Sequence, residues 1–297
     1  MELSTLRYFL AVAKEGNMTS AAAALHISQP ALSYQIARLE EELGKQLFVR
    51  TNRSMELTEE GMCLKSRAEE IVFLTDQTQK DLQHESDDIY GDIYIGAAES
   101  RSIHFLAEVI ANIRRQYPHI IFHFHSGNYD DVYERMNHGS LDFAVMIEPF
   151  DFQNLERIIL PVKDRMGIFI RKDHPLAEKK HVTSEDLRNL PLLLTVRSNL
   201  SVRDYAEQFG IPENELIMAG SGNLIYNLSI LAEHEIGAIL SLEGLVSTGT
   251  DSALTFIPYE PLTERRLVFA WKQYRPLSRA AQLFLDAVRE KVRNTVL

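Results

Sequence analysis

The run from Thr19 to Ser33, TSAAAALHISQPALS in one-letter code, constrains the fold of this chain more than any other stretch. It reads as a short helix, a tight turn and a second helix with a small, polar outer face, the form in which a protein presents a helix to DNA. Upstream, Leu6, Phe9, Leu10 and Ala13 recur at helical spacing, so an opening helix has one apolar stripe, and Gly16 with Asn17 ends it. Thr19 or Ser20 caps the second helix, whose alanines let a third element approach closely. Ser28 stands at the next N-cap with Pro30 in the first turn, where a missing N–H costs nothing, so the third helix starts at about Gln29. Along it Leu32, Ile36, Leu39 and Leu43 are spaced to be buried together, which turns Gln29, Pro30, Ser33, Tyr34 and Ala37 outward. Many three-helix units share alanine-rich middles and N-caps, so the stretch that follows has to decide between them.

From Lys45 to Thr58 the pattern is two short strands joined at a basic tip, a wing beside the third helix; a solvated hairpin is the plain alternative. On a wing, Arg50 and Arg53 lie beside the duplex, one reaching a phosphate and the other a phosphate or the minor groove. Up to Thr58 there are six basic residues (Arg7, Lys14, Arg38, Lys45, Arg50, Arg53) and six acidic (Glu2, Glu15, Glu40, Glu41, Glu42, Glu56), whereas all 297 residues sum to -11. The acidity therefore lies elsewhere, and Arg38, Lys45, Arg50 and Arg53 leave the module a locally basic surface. So few phosphate contacts per module call for a dimer.

Taken together, Leu6 to Ala13, Ser20 through Leu25, Ser28 to Ser33, Ile36 to Glu40, Leu47 to Arg50 and Leu57 to Gly61 resemble the LysR-type transcriptional regulators of bacteria. The resemblance implies that Gln29, Pro30, Ser33 and Tyr34 touch base edges in the major groove, with Gln29 on adenine the most recognisable contact. It also implies that Arg53 enters the minor groove. Thr19, Ser28, Arg38 and Arg50 complete the expected DNA-binding set. Tyr34 stands where relatives more often carry Gln or Arg, so stacking or a phenol contact replaces the usual hydrogen bond there.

Between Thr58 and about Asp88 there is no proline and one glycine, Gly61, while Leu64, Ala68, Ile71, Thr75, Thr78 and Leu82 alternate at four and three. That is a coiled-coil-like seam, and Leu64, Ala68, Ile71 and Leu82 are expected to meet a second copy. The alternative is a single amphipathic helix packed on its own domain, though thirty residues span roughly 45 Å at 1.5 Å each. The resemblance implies an antiparallel homodimer and a homotetramer built as a dimer of dimers. The expected domains are an all-α winged helix-turn-helix over 1–58, a linker and dimerisation helix over 59–88, and an effector-binding domain over 89–297.

This last part alternates strands and helices, as an open α/β sheet does. The resemblance implies two lobes like those of type 2 periplasmic solute-binding proteins, lobe I from 89–161 and 265–297, lobe II from 162–264, with crossovers near Pro161 and Arg265. Ligands in such sheets sit at the carboxyl ends of strands, between lobes. Those ends offer Glu99, Ser100, Arg101, Ser102, Ser126, Asn128, Met146 and Ile147 from lobe I, and Thr195, Arg197, Asn199, Ser201 and Asn223 from lobe II. Ser100 and Ser102 precede a helix and suit a carboxylate or small anion; N-capping explains them equally well. Arg197 is the counter-charge from lobe II, or an exposed salt bridge, and Glu99 favours a ligand with an amino group or hydroxyls.

An enzyme with a hidden site, or a small-molecule-binding α/β protein with no role on DNA, is the competing class. Its motifs are missing: Ser221 has Ala219 and Asn223 where a nucleophile elbow needs glycines, and Gly220-Ser221-Gly222 lacks the third glycine of a dinucleotide loop. His123 and His125 share a strand face without a third ligand at informative spacing, so solvated or helix-packed histidines are the default and no metal or cofactor is expected. There is no run of eighteen apolar residues and no basic-then-apolar leader, which predicts neither a membrane span nor export. The single cysteine, Cys63, cannot form an intrachain disulfide, which fits a reducing cytoplasm.

Overall fold

The computed structural model describes residues 1–50, 54–82, 89–148, 154–195, 202–261 and 263–296, with the backbone alone at 50, 77, 80–82 and 296. It divides into two compact units, Met1–Glu85 and Ser86–Leu297.

In the first unit α1 (Leu3–Glu15), α2 (Met18–Ala24) and α3 (Gln29–Leu43) are followed by β1 (Phe48–Arg50), β2 (Met55–Leu57) and α4 (Glu59–Leu82). Leu6, Phe9 and Val12 of α1 meet Ala21 and Ala22 of α2 and Leu32, Ile36 and Leu39 of α3 in one core. Leu43 was expected in that core, but it is exposed in the last turn, where Gly44 at φ +64° ends the helix. The second helix is capped by Asn17, not by Thr19 or Ser20: Asn17 Oδ1 accepts the N–H groups of Thr19 at 2.8 Å and Ser20 at 3.2 Å. Ser28 caps α3 as expected, its Oγ accepting from Ala31 N at 3.4 Å with Pro30 in the first turn. β1 and β2 pair antiparallel, and Glu40 Oε1 holds the entry to this hairpin by accepting from Leu47 N at 2.7 Å and Phe48 N at 3.2 Å.

The linker helix corrects the expected seam. Ala68 is 0% exposed within its own unit, and Leu64 and Val72 pack on the same core, because the first half of α4 lies along α1. Arg7 of α1 pairs with Asp76 of α4, continuing that attachment. Ile71 is 41% exposed and stays available to a partner; the side chain of Leu82 lies outside the described residues, as do 83–88. At its start, Thr58 Oγ1 accepts from Gly61 N at 2.9 Å and donates to Gln46 O at 2.8 Å.

The second unit is built on a sheet of β3 (Gly91–Ala97), β4 (Ile120–Ser126), β5 (Phe143–Ile147), β6 (Leu155–Arg171), β7 (Pro191–Thr195), β8 (Ile217–Gly222), β9 (Ala238–Leu242), β10 (Leu254–Pro258) and β11 (Glu264–Lys272). The order is β4-β3-β5-β11-β6-β9-β7-β8, with β10 also on β6. The helices are α5 (His104–Gln116), α6 (Tyr129–Asn137), α7 (Ser184–Leu187), α8 (Val202–Phe209), α9 (Ile225–Glu233) and α10 (Arg279–Val296). β3 pairs parallel with β4 and β5, and β7 parallel with β8 and β9, so each lobe has a parallel core. Phe143 and Phe269 stack in the core of lobe I and Phe284 of α10 meets both edge-on, so α10 packs on that lobe. A separate core in lobe II gathers Ile168, Leu192, Leu194, Phe209, Leu240 and Tyr259.

The crossovers are continuous strands. The crossover expected near Pro161 is β6, which starts at Leu155; its first part pairs antiparallel with β11 while its last residues pair with β9 and β10. The expected lobe boundaries at 161/162 and 264/265 therefore fall within β6 and at the start of β11. Val162 packs with the lobe I core and Met166 with that of lobe II.

The first turn of α4 lies against backbone: a Cβ on Gly61 stands 2.1 Å from Leu47 O and 3.0 Å from a Leu57 methyl. Gly61→Ala is expected to destabilise the unit by about 1–3 kcal/mol through forced displacement, read as a lower urea midpoint; an unchanged midpoint contradicts the close approach.

Candidate functional site

On the first unit, Thr19, Ser28, Gln29, Pro30 and Arg38 are exposed, Tyr34 is 65% exposed and Ser33 half-buried. Burial of Leu32, Ile36 and Leu39 sets this orientation, so one polar face of α3 is left to solvent. Arg50 lies on β1 opposite Met55, and its side chain falls outside the described residues together with the whole of Arg53. Of the other basic groups, Lys45 is 3.2 Å from Glu60, whose own backbone N–H and then Lys45 hold its carboxyl below the usual carboxylate range.

On the second unit, a cavity of about 260 Å³ opens where the carboxyl ends of β3, β4 and β5 face those of β7, β8 and β9. Of the expected residues, Glu99, Asn128, Met146, Ile147, Thr195 and Asn223 line it. Arg197, Asn199 and Ser201 lie outside the described residues. Glu148, at the same strand end as Met146 and Ile147, lines it too, and Tyr129, Tyr205, Gln208, Ser241 and Arg265 also line it and were absent from the expected set. Ser241 stands near the carboxyl end of β9, the kind of position the sequence argument sought; Tyr205 and Gln208, three apart on α8, share a helical face.

Ser100, Arg101, Ser102 and Ser126 are not among the lining residues. For Ser100 and Ser102 the reason is an internal carboxylate. Asp164 on β6, itself buried, accepts the Ser100 hydroxyl and, at 2.8 Å, that of Ser102, while Ser100 Oγ accepts from Ser102 N at 2.9 Å. The anion expected at this helix start is thus supplied by the crossover strand. Arg101 is exposed and its stem lies against Gly244, and Ser126 ends β4 facing solvent.

The remaining charges of the cleft are paired. Glu148 accepts from Arg266 Nε at 2.7 Å, and Glu99 Oε2 accepts from Ile225 N at 2.9 Å. Beside the cleft, Arg165 holds Glu243 through two hydrogen bonds of 2.9 and 3.0 Å, which keep the Glu243 carboxyl below its ordinary range. Tyr205 donates its hydroxyl to Thr195 O. His123 pairs with Asp92 and His125 with Asp131, so each imidazole is engaged with a carboxylate. Among the described residues no helix is long and apolar enough to cross a membrane.

The family model described as LysR substrate binding domain matches residues 87–293, and the one described as bacterial regulatory helix-turn-helix protein, lysR family, matches residues 3–62. The chain belongs to the LysR family. This LysR-family protein is a transcriptional regulator with a DNA-binding helix-turn-helix domain and an effector-binding domain, and not an enzyme. It is 26% identical over 292 residues, 98% of both chains, to the uncharacterised HTH-type transcriptional regulator YvbU of Bacillus subtilis. A probable RuBisCO transcriptional regulator of Thalassiosira pseudonana is 31% identical over 256 residues, 84% of this chain and 80% of that one. Among solved structures, full-length CbnR complexed with its target DNA aligns with a TM-score of 0.77 at 19% identity, covering 98% of this chain and 100% of CbnR. That likeness shows the LysR fold over the whole length.

In this LysR-family chain Asp164 carries structural weight that the sequence did not assign. Removing its carboxylate in Asp164→Ala strands the Ser100 hydroxyl in a buried site, an expected loss of about 1–3 kcal/mol. Urea unfolding measures it, and an unchanged midpoint contradicts the structural role.

Proposed function

We propose that the exposed face of α3 reads promoter DNA through Gln29, Pro30, Ser33 and Tyr34, with Thr19, Ser28, Arg38, Arg50 and Arg53 on the flanking backbone and minor groove. The observation that carries this is the polar outer face of α3, set by burial of Leu32, Ile36 and Leu39 on the other side. A small-molecule effector sits in the cleft lined by Glu99, Asn128, Met146, Ile147, Thr195 and Asn223, and no other cofactor is called for. Arg197, Asn199 and Ser201 belong to the same proposed mouth. Two copies associate along the part of α4 that its own unit leaves open, at and beyond Ile71, and two dimers form the tetramer. The protein works in the cytoplasm, where a single cysteine needs no oxidising partner.

The effector acts only if it binds two arrangements of the lobes unequally, since equal affinity shifts nothing. The regulated output is then the spacing or bend of the DNA held by paired modules. A second reading, binding without DNA, leaves the polar face of α3 unused.

A gel shift with the region upstream of the chain's own gene tests the reading. Each lost base contact costs about 1–3 kcal/mol, so Gln29→Ala with Ser33→Ala is expected to lower affinity for that region by about tenfold or more. Weak, salt-sensitive binding to unrelated duplex remains, and circular dichroism is unchanged. Full operator preference in the double variant contradicts the assignment of this face.

A further inference from the structure

Helix α9 starts without a cap of its own. Leu224 occupies its N-cap position and has no acceptor to offer. Its first N–H, that of Ile225, is taken by Oε2 of Glu99 at 2.9 Å, from 126 residues earlier and from the other lobe. The carboxylate is well matched there, because the start of a helix presents free N–H groups and the positive end of its dipole. The residues that follow Glu99 are attached as well: Ser100 and Ser102 to Asp164 on β6, and Arg101 over Gly244, where a Cβ stands 2.6 Å from Arg101 Cδ. Gly244 also has φ +80°, so the position suits glycine twice over.

A second observation marks the same wall as a place for a ligand. Ser241 on β9 is 5% exposed and lines the cavity, and among the described residues no side chain or backbone group holds its hydroxyl. A hydroxyl that faces the cavity with no protein partner on it is open to water or to a ligand.

From these two observations we infer that Glu99 is a latch between the lobes, a carboxylate occupying the start of α9, and that the effector is a small molecule whose own carboxylate displaces it. The displacing group accepts from Ile225 N–H and from the Ser241 hydroxyl. This rests on the cleft being the effector site. It also reverses the expectation that Glu99 selects an amino group: its charge already has a partner in α9. While the latch is closed, the competent state is a minor one, so the effector binds more weakly than its contacts alone allow, and loss of Glu99 removes that handicap.

Amide hydrogen exchange at Ile225, followed by NMR on the full-length chain, tests the latch with acetate as the probe. Glu99→Ala is expected to speed exchange about fivefold, the worth of one helix cap. Acetate in the tens of millimolar reverses the change, whereas neutral acetamide does not, and Ser241→Ala added to Glu99→Ala weakens the reversal. Wild type does not respond to acetate, because its own carboxylate fills the place. Glu99→Gln keeps an acceptor oxygen and a side chain of the same shape; it exchanges close to wild type and serves if Glu99→Ala does not fold. Exchange at Ile225 that is the same with and without the Glu99 side chain overturns the latch, as does acetamide acting as well as acetate, or a Glu99→Gln chain exchanging as fast as Glu99→Ala. A compound that binds the wild-type cleft while Ile225 ignores Glu99 removes the latch and leaves the effector reading standing.

Discussion

The antiparallel pairing of β6 with β11 is what the second unit hangs from. β6 runs out of one hydrophobic core into the other while β11, packed in the core of lobe I, pairs with it up to Arg165, so the lobes are joined by continuous backbone and do not merely touch. The ladder is regular from Glu264 to Arg266 and again from Val268 to Lys272, with a register shift between Arg266 and Val268. The partner residues skipped at that shift include Pro161, which has no N–H to give to a ladder and is tolerated in a sheet at such irregularities. A sheet bends where its ladder is interrupted. The irregularity, at 160–162 of β6, lies just before the packing passes from one core to the other between Val162 and Met166.

That geometry fixes where chemistry can be done. Each lobe brings three parallel strands whose carboxyl ends face the junction, and the cavity is the space they leave. The polar groups at these ends are largely committed inside the protein: Asp164 to two serines, Glu148 to Arg266, Glu99 to the start of α9. Such a cleft is poised, because a ligand that makes the same kind of hydrogen bond competes with a group already present. On the proposed latch, the balance at Glu99 biases the arrangement of the lobes.

The DNA-reading half was legible because its signals are local. Ser28, Pro30 and the Leu32, Ile36, Leu39 spacing define α3 within a dozen residues, and the structure places those residues as that pattern requires. Asn17 was read as a stop and turned out to be a cap, a role open to the same residue type. Ala68 illustrates a different limit: a four-three repeat says that a helix has an apolar stripe, not which neighbour covers it, and here α1 does. In the second unit the crossover near Pro161 was implied only by the resemblance, because Arg157, Lys163 and Asp164 break any apolar run along β6. Ser100 and Ser102 were legible as the start of a helix, but the carboxylate that satisfies them lies more than sixty positions away. Contacts of that separation are a property of the sheet, and no local pattern announces them.

The central claim is that the signal enters between the lobes. Its most direct test starts from a thermal-shift screen of small carboxylates, amino acids and aromatics, in which any binder of the folded chain raises its unfolding temperature. Amide exchange across the full-length chain with the strongest hit then locates the site. The account predicts protection on both walls at once, around 127–129 and 146–148 in lobe I and around 223–225 and 240–245 in lobe II. A stabilising compound whose protection is confined to one lobe, or lies away from these strand ends, contradicts it.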